Sequence, residues 1–508
     1  EITDQAQLQN TIDYINHNRA KHQLPQNKTL QAHIDTLVCS YEQAFATEYK
    51  GGFDVVIGNP PYVFSREKID EKDKHFYSNS YRSAQYQVNT YLLFIEKSID
   101  IIKQSAAYGL IVPNAWLMVY SGQELRKYIL NTCSIDEIIN LEGYSFEGVN
   151  VETIILISRK YKRKDNQLKV LLSEGIEFRY SHSRNQRDFA ENDGLEFRVF
   201  ANEDSIEISN KIRESSTDLD ELVQIKAGLQ AYEKNKGNPK QTPEDVKNRP
   251  YDYDYQFDEN TFRYLDGKNV GRYSIEWAGA YLRYGEHLAS PRTFNLFEDP
   301  KIIVREITGK FPRSIIASYS EDLYLYNRSN IGIIARENSP VSLKYVLALL
   351  NSTLMSYYFM KNTAKSVRKM FPKIILNDLR LFPIKIANSV TQVKIEQKVD
   401  KIQSSCYELI TITNEPIKLL QSKFAIDKPS KKLQNWSALD FKGFLAELKK
   451  KVKLSLEEEA EWMSYFNKKK AEATALQAEI DRIDREIDQM VYELYGLTQE
   501  EIEIVENA

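Results

Sequence analysis

The rhythm of apolar positions changes several times along the chain. In residues 1–49, Leu8, Ile12 and Ile15 recur at helical spacing within a polar, glycine-free stretch, which predicts one or two helices interrupted near Pro25. After the Gly51-Gly52 pair, residues 53–57 (FDVVI) form a continuous apolar run with a turn signal behind it, the pattern of a strand buried on both faces. Residues 91–103 return to a helical period, 108–112 predict a strand ending at Pro113, 123–131 a helix, and 136–141 and 153–158 two further strands. Such alternation predicts an α/β sheet covered by helices.

Beyond it the pattern loosens. Residues 226–260 are rich in Gly, Pro, Asn, Lys and Tyr and read as a long functional loop or a domain entry rather than a packed core. Residues 262–386 show short β-rich runs, among them 301–306 and 314–319. After about residue 390 the chain is strongly helical. Leu476, Ile480, Ile483, Ile487, Val491 and Leu494 make one apolar stripe, and Gly496 stands where that helix would end. The expected domains are a helical insertion at 1–50, an α/β part at 51–220, an α+β part at 221–390 and a helical region at 391–508.

Composition narrows the classes. With 508 residues, 42% hydrophobic and 28% charged, the chain has the profile of about three globular domains. The formal charge of −4 excludes a global polycation. It is unevenly spread: residues 262–386 hold 19 Lys+Arg against 10 Asp+Glu, a local +9 that leaves −13 for the rest. A basic domain within an acidic chain points to a polyanionic partner. Cys39, Cys133 and Cys406 lie far apart, which excludes a disulfide scaffold and fits a reducing cytoplasm. Six scattered histidines without Cys-x-x-Cys give no zinc spacing, so no metal site is expected. No apolar run reaches the ~18 residues of a membrane helix, and no membrane partner is expected. A first residue of Glu1 rather than Met suggests a fragment or a trimmed chain.

The sharpest chemical signal is Asn59-Pro60-Pro61-Tyr62, directly after the strand at 53–57. In open α/β sheets, ligands bind beyond the carboxyl ends of strands. Two prolines fix φ and remove two donors, leaving a rigid loop with outward carbonyls. The Asn59 side-chain oxygen and the Pro60 carbonyl can together accept both hydrogens of one amino group. Tyr62 offers a flat face for a planar base. Such a site turns the amino nitrogen's lone pair toward an electrophile and needs no base before attack.

GNPPY after FDVVI resembles motif IV of the amino-methyltransferases that use S-adenosylmethionine. Residues 91–97 (YLLFIEK) with 108–117 (YGLIVPNAWL) resemble the next helix–strand unit of the adenine-specific class. Phe146 in YSFEGVNVETIILI resembles the aromatic that packs on the opposite face of an extruded adenine. From GLQAY through DGKNVGRYSIEW, EDPKIIVRE and LALLNSTLMSYYF the chain resembles the target-recognition domain of TaqI-like and type IIG restriction-modification enzymes. VYELYGLTQEEIEIV is similar to the helical close of that family.

The resemblance implies a partial doubly wound methyltransferase sheet, then an α+β target-recognition domain and a helical C-terminal region. It implies roles as well. Asn59 and Pro60 would accept from the adenine 6-amino group, and Pro61 completes the catalytic tetrapeptide. Tyr62 and Phe146 would sandwich the flipped base, while Asn59, Pro61 and Phe94 would line the cofactor pocket. Flipping is needed because the amino group cannot meet the sulfonium methyl inside a duplex.

One departure stands out: no glycine precedes Gly51, so the family's glycine-rich cofactor loop is missing together with half the sheet. The outer edge of strand 53–57 is therefore expected to be bare. S-adenosylmethionine binding would need the N-terminal part of the same polypeptide or a companion subunit. Magnesium would enter only with an upstream nuclease domain.

In the basic stretch, Lys268, Arg272, Arg283, Lys301, Arg305 and Arg313 are interleaved with Tyr264, Tyr273, Tyr281 and Tyr284, which suits a reader of double-stranded DNA. The expected function is the C-terminal part of a site-specific DNA adenine methyltransferase. The alternatives are a non-catalytic DNA-specificity subunit and a protein glutamine methyltransferase.

Overall fold

The computed structural model describes residues 52–63, 69–85, 88–141, 152–174, 177–363, 373–424, 426 and 428–508. The helices expected within 1–49 and the aromatic Phe146 lie outside these residues. The chain divides into two compact units, one up to Asn202 and one from Glu203 to Ala508.

The first unit is built on a six-stranded mixed sheet of β1 (Phe53–Gly58), β2 (Ile102–Pro113), β3 (Ser134–Asn140), β4 (Thr153–Arg159), β5 (Gln167–Glu174) and β6 (Glu177–Asn185). Its order is β1-β2-β4-β3-β5-β6. β1 and β2 run parallel, with Val55 beside Ala107 and Gly58 beside Leu110. Parallel neighbours require a crossover, and the helix Thr90–Ile101 supplies it, burying Tyr91, Leu92, Ile95 and Ile99 against the sheet. At the start of β1 the chain passes so close to this helix that a Cβ on Gly52 would lie 2.0 Å from the Ile101 carbonyl oxygen. Gly52 also has φ +112°, which a side chain would oppose.

β1 differs from expectation. Its apolar run reads as buried on both faces, but Val55 is 56% and Ile57 82% exposed. Only β2 pairs with β1 among the described residues, and Val56 is the residue of the run that packs on the core. Val55 and Ile57 share one face of the strand and Val56 lies on the other, so an apolar run alone does not tell whether both faces are covered.

The second unit contains two four-stranded sheets. In one, Ala317–Ser320, Lys301–Arg305, Asn330–Ala335 and Val223–Ala227 lie side by side, all antiparallel. In the other the order is Leu325–Tyr326, Thr261–Leu265, Tyr281–Arg283 and Asp252–Tyr253. The segment at 226–260 is more ordered than its composition suggests. It holds a short helix, Pro243–Asn248, opened by a reciprocal Thr242–Asp245 capping box with proline in the first turn. Gln241 is buried and donates to the Ala231 and His287 carbonyls, both at 2.8 Å, which closes the segment on itself.

Two long helices, Ser389–Phe424 and Leu456–Tyr495, complete the unit. The ion pairs Lys398–Glu486, Lys401–Glu479 and Glu415–Lys469 run in opposite sequence directions, so the helices are antiparallel. The apolar stripe buries Ile480, Ile483, Ile487 and Val491 in the same core as Ile302, Val304, Ile331 and Ile333 of the first sheet. Gly496 ends the helix at φ +71°. Sheet and helices thus share one core across residue 390. The helix Glu203–Arg213 also adds Ile208 and Ile212 to this core, which is why the division falls at 202/203 and not near 220. No helix among the described residues is long and apolar enough to cross a membrane.

Candidate functional site

Residues 59–63 leave β1 at its carboxyl end and are held there by two neighbours. The Tyr62 hydroxyl lies 3.0 Å from the Ile111 carbonyl on β2 and 2.9 Å from Asn59 Oδ1. A phenol has one hydrogen, so it donates to one of the two at a time. Its ring stands edge-on to Tyr91, with centroids 6.2 Å apart and planes at 86°. Burial pushes the Tyr62 hydroxyl up to about 12, so it remains a neutral donor at neutral pH.

The second neighbour is Thr90, the first residue of the crossover helix. Its hydroxyl donates to the Pro61 carbonyl at 2.5 Å and accepts from the Val63 amide at 3.0 Å, while its own amide donates to the Val63 carbonyl at 3.2 Å. These bonds fix the turn from both sides of Tyr62. Sequence reasoning passed over Thr90. The available signal was a hydroxyl residue after Asn89, where the helix begins.

Between these anchors Pro60 is buried, and Asn59 and Pro61 are exposed. Asn59 Oδ1 accepts at most the one Tyr62 hydrogen and keeps a lone pair for another donor. Phe94 lies one turn beyond Thr90 on the same helix face and is 47% exposed. Asn59 and Pro61 therefore offer an open amide and apolar surface at the carboxyl end of two parallel strands, and Phe94 offers an exposed ring on the helix that follows.

The basic stretch resolves differently from expectation. Lys301 is fully buried; its ammonium donates to the Asp299 and Asp322 carbonyls at 2.9 and 2.8 Å, and burial pulls its pKa down to about 8. It braces the fold and is not a DNA contact. Arg272 forks onto Asp484 at 2.7 and 2.8 Å and caps the Asn351 carbonyl at 2.9 Å. Arg313 meets Asp484 at 3.0 Å, Asp488 at 2.7 Å and the Thr353 hydroxyl at 2.9 Å. Arg272, in the turn between Gly271 and Ser274, and Arg313, in the loop before Ala317–Ser320, both reach the helix Leu456–Tyr495, so their charge is spent inside the unit. Of the tyrosines interleaved with these basic residues, Tyr264 and Tyr273 are core residues. Arg283 pairs with Asp258 at 2.6 Å yet stays partly exposed; Arg305 is half-buried, and Lys268 is exposed. These three side chains remain reachable from solvent.

Comparison with known proteins gives matches to three family models. Residues 2–146 match the Eco57I restriction-modification methylase family, 262–384 the TaqI-like C-terminal specificity domain, and 388–491 a domain of unknown function (DUF8810). The chain is 25% identical over 387 residues to RM.MjaORFECS2P of Methanocaldococcus jannaschii, a match covering 72% of this chain and 30% of that protein. It is 32% identical over 111 residues to the type II restriction enzyme and methyltransferase RM.Eco57I of Escherichia coli, covering 21% of this chain and 11% of that one. Among solved structures, the type IIG restriction endonuclease BpuSI is similar at 12% identity and a TM-score of 0.31, over 88% of this chain and 55% of that chain. The chain thus carries an Eco57I-type methylase segment followed by a TaqI-like specificity domain, and spans about a third or less of the length of these two relatives.

Proposed function

We propose that this chain, with its methylase segment and specificity domain, is the C-terminal part of a site-specific DNA adenine methyltransferase of a type IIG-like restriction-modification enzyme. It would transfer methyl from S-adenosylmethionine to the 6-amino group of a flipped adenine. The observation that carries this reading is the 59–62 loop, pinned at the carboxyl end of β1 by Thr90 and Tyr62 with the Asn59 amide left exposed.

The chemistry follows from the donor and acceptor count. An adenine amino group entering the site donates one hydrogen to Asn59 Oδ1 and the other to the Pro60 carbonyl. Held so, the nitrogen's lone pair points out of the ring plane toward the wall formed by Asn59, Pro61 and Phe94. Bound there, S-adenosylmethionine supplies an electrophilic methyl group. The nitrogen would take the methyl as the sulfonium S–C bond breaks and leaves a neutral thioether, and would then release one proton to solvent. Tyr62 stacks on the base; Phe146, the aromatic expected on its other face, lies outside the described residues. The neutral Tyr62 hydroxyl shares its hydrogen with Asn59 and so sets the amide's orientation before substrate arrives.

The partner is duplex DNA, in the cytoplasm. A glycine-rich loop for the cofactor's methionine end would come from an N-terminal part of the same polypeptide or from a companion subunit. The 508-residue chain alone would then neither bind S-adenosylmethionine detectably nor methylate DNA. Titration calorimetry of this chain with the cofactor checks that last point: no saturable heat is expected, and micromolar binding contradicts it. The activity itself is tested with the full-length protein, labelled S-adenosylmethionine and duplex DNA, followed by nucleoside analysis. Label in N6-methyladenine supports the proposal; label in cytosine, or in protein only, contradicts it.

A further inference from the structure

Most arginines of the second unit meet a carboxylate: Arg249, Arg272, Arg283 and Arg313 each pair with an aspartate. Among the described residues Arg263, Arg305, Arg336 and Arg485 do not, and neither do Arg292 and Arg328. Both are exposed, and each is steered by a neutral acceptor. Neither forms an ion pair with any described residue.

The backbone explains why they meet. Gly228 has no space for a side chain, since a Cβ would lie 2.2 Å from the Asn327 carbonyl oxygen and 2.5 Å from that of Tyr326. The bare backbone lets 228–229 run against 326–330. The Gly228 amide donates to the Asn330 carbonyl and the Leu229 amide to the Tyr326 carbonyl, both at 2.9 Å. Gln230, next in line, exchanges both backbone hydrogen bonds with Ser290, at 2.9 and 2.8 Å. Three separate loops therefore converge on Gln230. Arg328 Nη1 donates to Gln230 Oε1 at 2.6 Å, and Gln230 Nε2 donates to the Tyr232 carbonyl at 3.3 Å, which fixes which way the amide faces. Arg292 Nε donates to the Gly228 carbonyl at 3.2 Å from a residue held at φ +67°.

A guanidinium has five N–H donors. Arg328 spends a donor on Gln230, and Arg292 spends Nε, so both keep free donors and full charge. An arginine bonded to a carboxylate is neutralised; one aimed by an amide or a carbonyl is oriented but still cationic. An exposed, oriented, un-neutralised fork matches the O6 and N7 acceptors of guanine in the major groove.

We propose that Gln230, Arg292 and Arg328 form a base-reading edge for duplex DNA, with Arg328 set by Gln230 to read a guanine. Lys268 flanks this edge as a phosphate contact. Its turn is tied to 327–329 through Asp266, which accepts from Asn327 Nδ2 at 2.9 Å and from the Ser329 hydroxyl at 3.0 Å. The inference rests on the DNA-binding part of the proposed function and adds specificity-determining residues to it.

The test is selection from a pool of randomised duplex DNA by the 508-residue chain, with the bound fraction sequenced. The wild type should enrich a motif containing a G·C pair. Arg328→Lys keeps the charge but loses the fork; it should retain overall affinity and salt dependence while losing preference at one base pair by roughly 10–100-fold. Gln230→Ala should act in the same direction. Lys268→Ala should weaken all sequences alike and lower the log-salt slope by about 0.9. An Arg328→Lys chain that enriches the wild-type motif unchanged, or that weakens every sequence equally, overturns the reading edge alone. A wild-type chain that binds no duplex DNA overturns the DNA-binding reading itself, and this inference with it.

Discussion

The Thr90 hydroxyl donates to the Pro61 carbonyl at 2.5 Å and so couples the first turn of a crossover helix to the loop that presents Asn59. The same oxygen accepts from the Val63 amide at 3.0 Å, so one side chain closes both sides of the turn around Tyr62. The loop's rigidity comes from the helix as much as from its two prolines.

Thr90→Val keeps the shape and removes both hydrogen bonds. Misplacement of a reacting group by a fraction of an ångström to an ångström costs up to about 10²-fold in turnover. In the full-length protein kcat should fall roughly 10- to 100-fold, with little change in DNA affinity, and Thr90→Ser should restore most of it. Steady-state methylation and binding constants for the two variants check this. Equal rates for valine and serine would remove Thr90 from the positioning of the loop.

Arg272 provides a contrast between bracing and binding. Its removal leaves Asp484 with Arg313 at 3.0 Å as its remaining cation in a mostly buried setting. Loss of one partner of a buried pair costs about 3–5 kcal/mol when the other charge is left alone, and less here, where Arg313 stays on Asp484. Denaturant unfolding of Arg272→Ala should show that loss, while the log-salt slope of DNA binding stays at the wild-type value. A slope reduced by about 0.9 with stability unchanged would make Arg272 a phosphate contact instead.

Lys301 sets a pH dependence whose sign is fixed by its environment. Burial lowers its pKa from 10.5 to about 8, so the folded chain releases this proton earlier than the unfolded chain. Between pH 8 and 10.5 the unfolded state binds more protons at this residue, and folding gains stability as pH rises through that window. Below pH 8 the full cost of the buried charge is present. The difference in unfolding free energy between wild type and Lys301→Met should therefore move in favour of the wild type from pH 8 to pH 10. A flat difference would mean that the two carbonyls fully compensate the buried charge.

These residues also show what a sequence can carry. The strand at 53–57, the crossover helix, the strands at 136–141 and 153–158 and the stripe of Ile480 and Ile487 are local patterns, and each became the expected element. The loop at 59–62 was legible for the same reason, since proline chemistry acts within four residues. Thr90 was not: its partners Pro61 and Val63 lie 29 and 27 residues away, and only the helix packing brings them together. The basic stretch misled in a specific way. Arg272 finds Asp484 at a separation of 212 residues, so a local charge of +9 counts cations already neutralised by a distant helix. Arg292 and Arg328 differ from the paired arginines in the acceptor they meet, a backbone carbonyl and a side-chain amide instead of a carboxylate.

Asn59 carries the central claim, and methyl transfer by Asn59→Ala in the full-length protein tests it most directly. The substitution removes one acceptor that orients the target amino group in the reactive geometry and leaves Tyr62 its alternative acceptor at Ile111. Turnover should drop on the order of 10²–10³-fold, with duplex binding and the modified sequence unchanged. Near-normal methylation of adenine by Asn59→Ala would contradict the account.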